Sequence, residues 1–145
     1  MSERRATYRA GSALEETLAF QLQAAGIAFD VPGQPVPKQS FRYTGANGKG
    51  GGYTPARVKN WQREVAFAAS LAMAGRNPFT GAVKVTLTFK LPTRRRVDAD
   101  NLSKCVLDAL NGVAFADDAQ VVDLHIRKVY TTPAGVSVEI LGATA

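Results

Sequence analysis

Between Val83 and Lys90 the chain alternates strictly, with Val83, Val85, Leu87 and Phe89 separated by Lys84, Thr86, Thr88 and Lys90. Successive strand side chains point to opposite faces, so this period of two demands a strand with one face buried and the other wet. Such a strand needs neighbours at its edges and a layer over its apolar face. The flanking sequence offers both. Thr54-Pro55 supplies an N-cap followed by proline at the first helical position, and Val58, Trp61, Val65, Ala68 and Ala72 recur every three or four residues. That spacing predicts a helix over about 55–74, ended by Asn77-Pro78. Asp100 or Asn101 is placed to cap a second helix carrying Leu102, Val106, Ala109 and Leu110 on one face, with Asn111-Gly112 as its stop. Residues 27–31 read as a short strand, after which the prolines of the 32–38 segment interrupt any regular ladder. Residues 121–130 and 136–141 read as two more strands, joined by a turn containing Pro133 and Gly135 and expected to pair as a hairpin.

Ahead of these elements stands an appendage. Ser12-Ala13-Leu14-Glu15 matches a capping box, Leu14, Leu18, Leu22 and Ala25 form one apolar stripe, and Gly26 is a stop. Residues 1–26 are therefore expected to be a helical leader and residues 27–145 the main domain, since 145 residues suit one core. With 46% hydrophobic and 21% charged residues, the composition is that of a folded globular chain rather than a disordered tail. No apolar run approaches the roughly 18 residues that cross a bilayer, and the first residues lack the apolar stretch of a secretory signal. The expectation is a cytoplasmic protein with no membrane partner.

Charge and metal-ligand inventory narrow the chemistry. Eighteen basic against twelve acidic side chains give +6, which points to a polyanionic partner, with nucleic acid first among them. One cysteine, Cys105, and one histidine, His125, exclude an internal disulfide and a cysteine-rich zinc site, so any metal must be held by oxygens. The glycine-rich 45–52 segment fails as a phosphate loop, because Tyr43 and Gly50 stand where that motif needs glycine and a hydroxyl.

The richest stretch runs from Arg94, Arg95 and Arg96 through Asp98, Asp100 and Asn101 to Lys104. If residues 98–100 are extended, the two carboxylates face the same side, roughly 7 Å apart at the backbone. Asp117-Asp118 is a second acidic cluster. Like charges held close repel, and a hard cation that keeps several waters would relieve them with two or three carboxylates. Lys104 lies four residues after Asp100 and four before Asp108, which on a helix reads either as a surface ion-pair ladder or as a cation aimed at a reacting phosphate. His125, with no accompanying serine or cysteine motif, is expected to be structural or exposed, Cys105 to be a buried inert thiol, and Trp61 to belong to the core.

The blocks Asp98-x-Asp100-Asn101-x-x-Lys104, Asp108-Ala109-Leu110-Asn111-Gly112, Asp117-Asp118-Ala119-Gln120-Val121 and Lys128, with Val31–Lys38 and Tyr53-Thr54-Pro55 upstream, resemble the RusA family of Holliday-junction resolvases, found largely in prophages. The resemblance covers roughly residues 28–141. It implies an α+β fold, a small mixed sheet packed against two main helices, to which the leader would be an addition. It also implies a homodimeric, Mg²⁺-dependent endonuclease, with Mn²⁺ as a substitute, that cuts branched DNA at four-way junctions. By position, the metal-binding acids fall on Asp98, Asp100 and Asp118, with Asp117 as a neighbour, and the essential lysine on Lys104. Lys38, Arg42, Arg94, Arg95 and Arg96 are then the candidates for phosphate contacts. Two other classes remain open on the residues alone: a DNA-binding module whose acids are structural, and a metal-dependent phosphohydrolase of small nucleotides.

Overall fold

The protein is described from a computed structural model, which covers residues 25–38, 42–43 and 52–143; the expected leader helix lies outside these apart from its last two positions. The elements run β1 (Ile27–Pro32), β2 (Arg42–Tyr43), β3 (Gly52–Tyr53), α1 (Ala56–Met73), β4 (Val83–Leu91), α2 (Ala99–Leu110), a 3₁₀ turn (Asp118–Gln120), β5 (Val121–Tyr130) and β6 (Gly135–Gly142). Strands β1, β6, β4 and β5 lie in that order in one sheet, and β2 and β3 form a separate small ribbon. The architecture is α+β, a mixed sheet under two helices, as the resemblance implied.

β4 is the strand that the alternation demanded. Val83, Val85, Leu87, Phe89 and Leu91 are all buried, while the residues between them are half-buried or exposed. Burying each of these side chains contributes roughly 1.5–3 kcal/mol, which is why the strand takes an interior place with a neighbour on either side. α1 covers the sheet with Val58, Trp61, Val65, Ala69 and Met73, and α2 adds Leu102, Cys105, Val106, Leu107, Ala109 and Leu110. The burial of Trp61 and Cys105 fits the reading of both as core residues.

Three details differ from the sequence expectation. β5 and β6 do not pair as a hairpin, because β4 lies between them, parallel to β5 and antiparallel to β6. The connection passes over the end of β4, where the Thr131 amide donates to the Leu91 carbonyl at 3.0 Å. A turn of hairpin length thus carries the chain across an intervening strand, placed there by its greater hydrophobicity. The parallel β4–β5 pairing needs a long crossover, and α2 supplies it. Next, Pro55 rather than Thr54 is the N-cap of α1, so the helix starts at Ala56. Finally, α2 is capped by Asp98, earlier than Asp100 or Asn101. Residues 98–100 are therefore not an extended run: Asp98 is extended (φ −72°, ψ 127°), and Asp100 already stands in the first helical turn.

Gly26 and Gly135 hold the β1 edge. Gly26 has φ +78°, and a Cβ there would stand 2.3 Å from the Ile140 carbonyl oxygen. A Cβ on Gly135 would come within 2.6 Å of the Val31 carbonyl oxygen. Both contacts fall well below any real carbon–oxygen approach, so only glycine lets β1 and β6 close on each other.

Candidate functional site

The start of α2 gathers most of the candidate side chains. Asp98 occupies the cap without making a side-chain capping bond, and its nearest polar contact is the Asn101 amide, 3.5 Å away. A carboxylate at a helix N-terminus is favoured by the helix dipole, and here its oxygens stay available. Asp100, one turn into solvent, pairs with Lys104 at 3.2 Å, and both side chains are exposed. The expected ladder has only that rung. Asp108 turns instead to Lys38, whose ammonium donates to it, and the Lys38 amide donates to the Asn101 carbonyl at 2.9 Å. Lys38, a predicted phosphate contact, is thus committed within the protein and ties the proline-rich segment to α2.

That tie encloses a cleft of about 330 Å³ whose wall includes Gln34, Pro35, Val36 and Pro37 on one side and Arg95, Arg96, Val97, Asp98 and Asn101 on the other. Arg57, from the first turn of α1, completes it. Sequence reading missed Arg57, because a single arginine on a helix carries no spacing signal and only the packing of α1 beside the 32–38 segment brings it in. Arg94 goes elsewhere: its guanidinium lies 4.6 Å from the centre of the Tyr130 ring. The Lys128 ammonium donates to the Val97 carbonyl at 2.9 Å and steadies the segment leading to Asp98. Of Arg42 only the backbone, in β2, is described.

The second acidic cluster sits on the 3₁₀ turn, which packs against α2. Asp117 caps the turn, its Oδ1 accepting from the Ala119 amide at 3.1 Å, while the Gln120 side-chain oxygen accepts from the Asp117 amide at 3.1 Å. The Gln120 amide in turn donates to the carbonyls of Phe79 and Gly81, at 2.7 and 2.9 Å, fastening the turn to the segment before β4. The Asp117-x-x-Gln120 spacing is a capping-box signature that could have revealed this role. The carboxyls of Asp117 and Asp118 share a hydrogen bond. The Ala119 amide and that bond hold Asp117 below the usual carboxylate range. The same bond, then burial and the nearby charges of Asp117 and Asp108, push Asp118 up.

These acids present only carboxylate oxygens, the donor type of a hard cation, and the opposite shifts that Asp117 and Asp118 impose on each other mark a place where such a cation would relieve repulsion. Among the described residues no three acidic, histidine or cysteine side chains gather around one point. The set therefore fits an ion that takes one or two carboxylates and draws its remaining oxygens from water and substrate phosphate. His125 is apart from all this, exposed on β5 and 3.0 Å from Asp123. No helix among the described residues is long and apolar enough to cross a membrane.

Comparison with known proteins agrees with this picture. The family model described as Endodeoxyribonuclease RusA matches residues 32–141. An uncharacterized protein of Bacillus subtilis, YqaN, is 31% identical over 140 residues, covering 82% of this chain and 98% of its own length. The crossover junction endodeoxyribonucleases RusA of Escherichia coli K12 and of Enterobacteria phage 82 are each 46% identical over 54 residues. That stretch is 37% of this chain and spans 45% of the length of those two relatives.

Proposed function

From the premise that the chain belongs to the RusA family of endodeoxyribonucleases, we propose that it cleaves four-way DNA junctions by paired phosphodiester hydrolysis, in recombination and repair. The observation that carries this reading is the joining of one candidate metal-binding acid and several arginines in one open cleft: Asp98 shares its walls with Arg57, Arg95 and Arg96 at the exposed start of α2. An open, charged surface of this kind suits a polymer backbone.

Asp98, Asp100 and Asp118, with Asp117 beside them, would between them hold one or two divalent ions, each on one or two carboxylates with water and substrate phosphate completing its oxygen shell. Bound there, Mg²⁺ or Mn²⁺ would supply Lewis acidity and a water activated for attack on phosphorus. The chain's own groups do the positioning. Lys104 places its ammonium next to Asp100 and neutralises charge that builds on the phosphate oxygens, a role worth about 3 kcal/mol by analogy with single oxyanion donors. Arg95 and Arg96 hold flanking phosphates, which fixes the register of the DNA without reading its sequence. Arg94 and Arg42 extend this basic surface, and Lys38 acts on it through the segment that it anchors to α2. Two such sites related by a twofold axis would cut the two strands of a junction symmetrically, so the working unit is a homodimer.

The test is incubation of a synthetic four-way junction, beside linear duplex and single-stranded controls, with Mg²⁺ or with EDTA. Paired nicks on the junction alone, lost in EDTA, are expected. Tight junction binding without cleavage under Mg²⁺ or Mn²⁺ would replace this reading with that of a DNA-binding module whose acids are structural.

A further inference from the structure

The cleft beside Asp98 is larger than phosphate contacts require. Its volume of about 330 Å³ far exceeds a phosphate group, and its walls are of two kinds. Arg57 reaches it from α1, and Arg95 and Arg96 from the segment between β4 and α2, far apart in sequence. Among the described residues none of these guanidiniums has an ion-pair partner. Pro35 and Val36 on the facing side and Val97 beside the arginines supply apolar lining, with Pro35 buried and Val36 and Val97 packed against the core. The shape is also held from outside. The Lys38–Asp108 pair and the Lys38–Asn101 backbone bond fix one wall to the other, and Gly33 lies against the ring of the buried Trp61. Cations and fixed apolar surface lining one cleft are complementary to a phosphate joined to a flat, partly apolar body.

We propose that this cleft is a nucleotide subsite, taking one unstacked deoxynucleotide of the bound strand with its phosphate on Arg57, Arg95 and Arg96 and its base or sugar against Pro35, Val36 and Val97. The inference rests on the junction-cleaving reading and deepens it. A base inside regular duplex is stacked on both faces and reaches such a cleft only by being flipped out, at a cost of a few kcal/mol. At a branch point that cost is smallest, since a nucleotide there has lost part of its stacking. The subsite thereby favours branched over linear DNA with no reading of base sequence.

Two experiments separate this inference from the reading beneath it. The first is free of cleavage: a mixture of the four deoxynucleoside 5′-monophosphates is titrated into the isotopically labelled protein, with inorganic phosphate as a second probe. The expected result is saturable shifts of the Arg57, Val97 and Asn101 amides with the mononucleotides, and weaker ones with phosphate. Equal response to both probes would reduce the cleft to a phosphate site, and no response to either would remove it; both outcomes overturn the subsite. The second compares junction and duplex binding in EDTA for the wild type, Arg57→Ala and Gln34→Trp, with thermal unfolding to establish that each variant folds. Arg57→Ala is expected to weaken junction binding about tenfold and to lower the salt slope by about one. Gln34→Trp, which blocks the mouth without changing charge, is expected to weaken junction binding while leaving duplex binding and the salt slope unchanged. Unchanged junction affinity in both folded variants would overturn the subsite. If the wild type cuts junctions in that case, the resolvase reading stands without it; if the wild type neither binds nor cuts them, that reading fails on its own account.

Discussion

Asp98 caps α2 in position but not in bonding, and that separation is what frees its carboxylate for other work. Replacing Asp98, Asp100 or Asp118 by asparagine keeps size and shape while removing a charge. Each change is expected to lower junction cleavage by at least about 100-fold, with junction binding equal or tighter because one negative charge no longer repels DNA; full activity in any variant would take that residue out of the site. Lys104→Ala is expected to lose cleavage by a similar factor while Mn²⁺ binding, followed by paramagnetic relaxation, persists. Wild-type turnover in that variant would return Lys104 to a surface ion pair with Asp100. Cys105 behaves differently, being remote from solvent. Burial, with the charge of Asp108 adding to it, pushes its thiol up from 9.0 to about 11. The fold therefore favours the protonated thiol, so this contribution to stability is complete below pH 9 and is lost as the pH rises from about 9 towards 11. The urea midpoint of the wild type should fall more steeply across that window than that of Cys105→Ala, and parallel slopes would refute the burial argument.

At the scale of elements, the legible parts of the sequence were those fixed by a local period. The β4 alternation, the apolar spacing of α1 and the strand character of residues 121–130 and 136–141 each follow from side chains a few positions apart, and each element is present. Pairing was less legible, because the turn between β5 and β6 suits a hairpin, and only the demand of β4 for two neighbours puts it between them. The same holds for the site. The acids and Lys104 stand in one recognisable block, whereas Arg57 and the anchoring of Lys38 depend on segments brought together by packing. The Lys38–Asp108 pair is the side-chain link between the proline-rich segment and α2, beside the backbone bond from Lys38 to Asn101, with side chains 35% and 32% exposed. Such partial exposure limits its worth to about 1 kcal/mol. Lys38→Met should lower stability in urea by that amount, and adding Asp108→Leu should recover most of it, since the uncompensated carboxylate is then removed. A double variant no more stable than the single one would mean that the segment is held chiefly by its backbone bond to Asn101.

For the whole molecule, the proposed activity raises the question of how one chain with one set of acids would produce paired cuts. The sheet ends at β5, an edge strand that shows Val122, Leu124 and Tyr130 to solvent, at 62%, 38% and 41% exposure. Open edges invite pairing with another chain, and natural proteins guard those that must stay single with charged residues, lysine above all. Arg127 and Lys128 guard the second half of β5 in this sense, whereas Val122 and Leu124 leave exposed apolar side chains on either side of Asp123, which makes the first half of β5 the seam proposed for a second copy. Adding lysines there protects the edge without subtracting from the basic charge that attracts DNA. The wild type is expected to sediment as a dimer, and the variant Val122→Lys/Leu124→Lys as a monomer at the same concentration. On a junction held in a supercoiled cruciform, where paired cuts linearise the plasmid and unpaired ones only relax it, the variant should give mainly relaxed circles. A variant that remains dimeric and still linearises the plasmid would move the seam away from β5, because the acids of one protomer would still be finding their twofold partner through another surface.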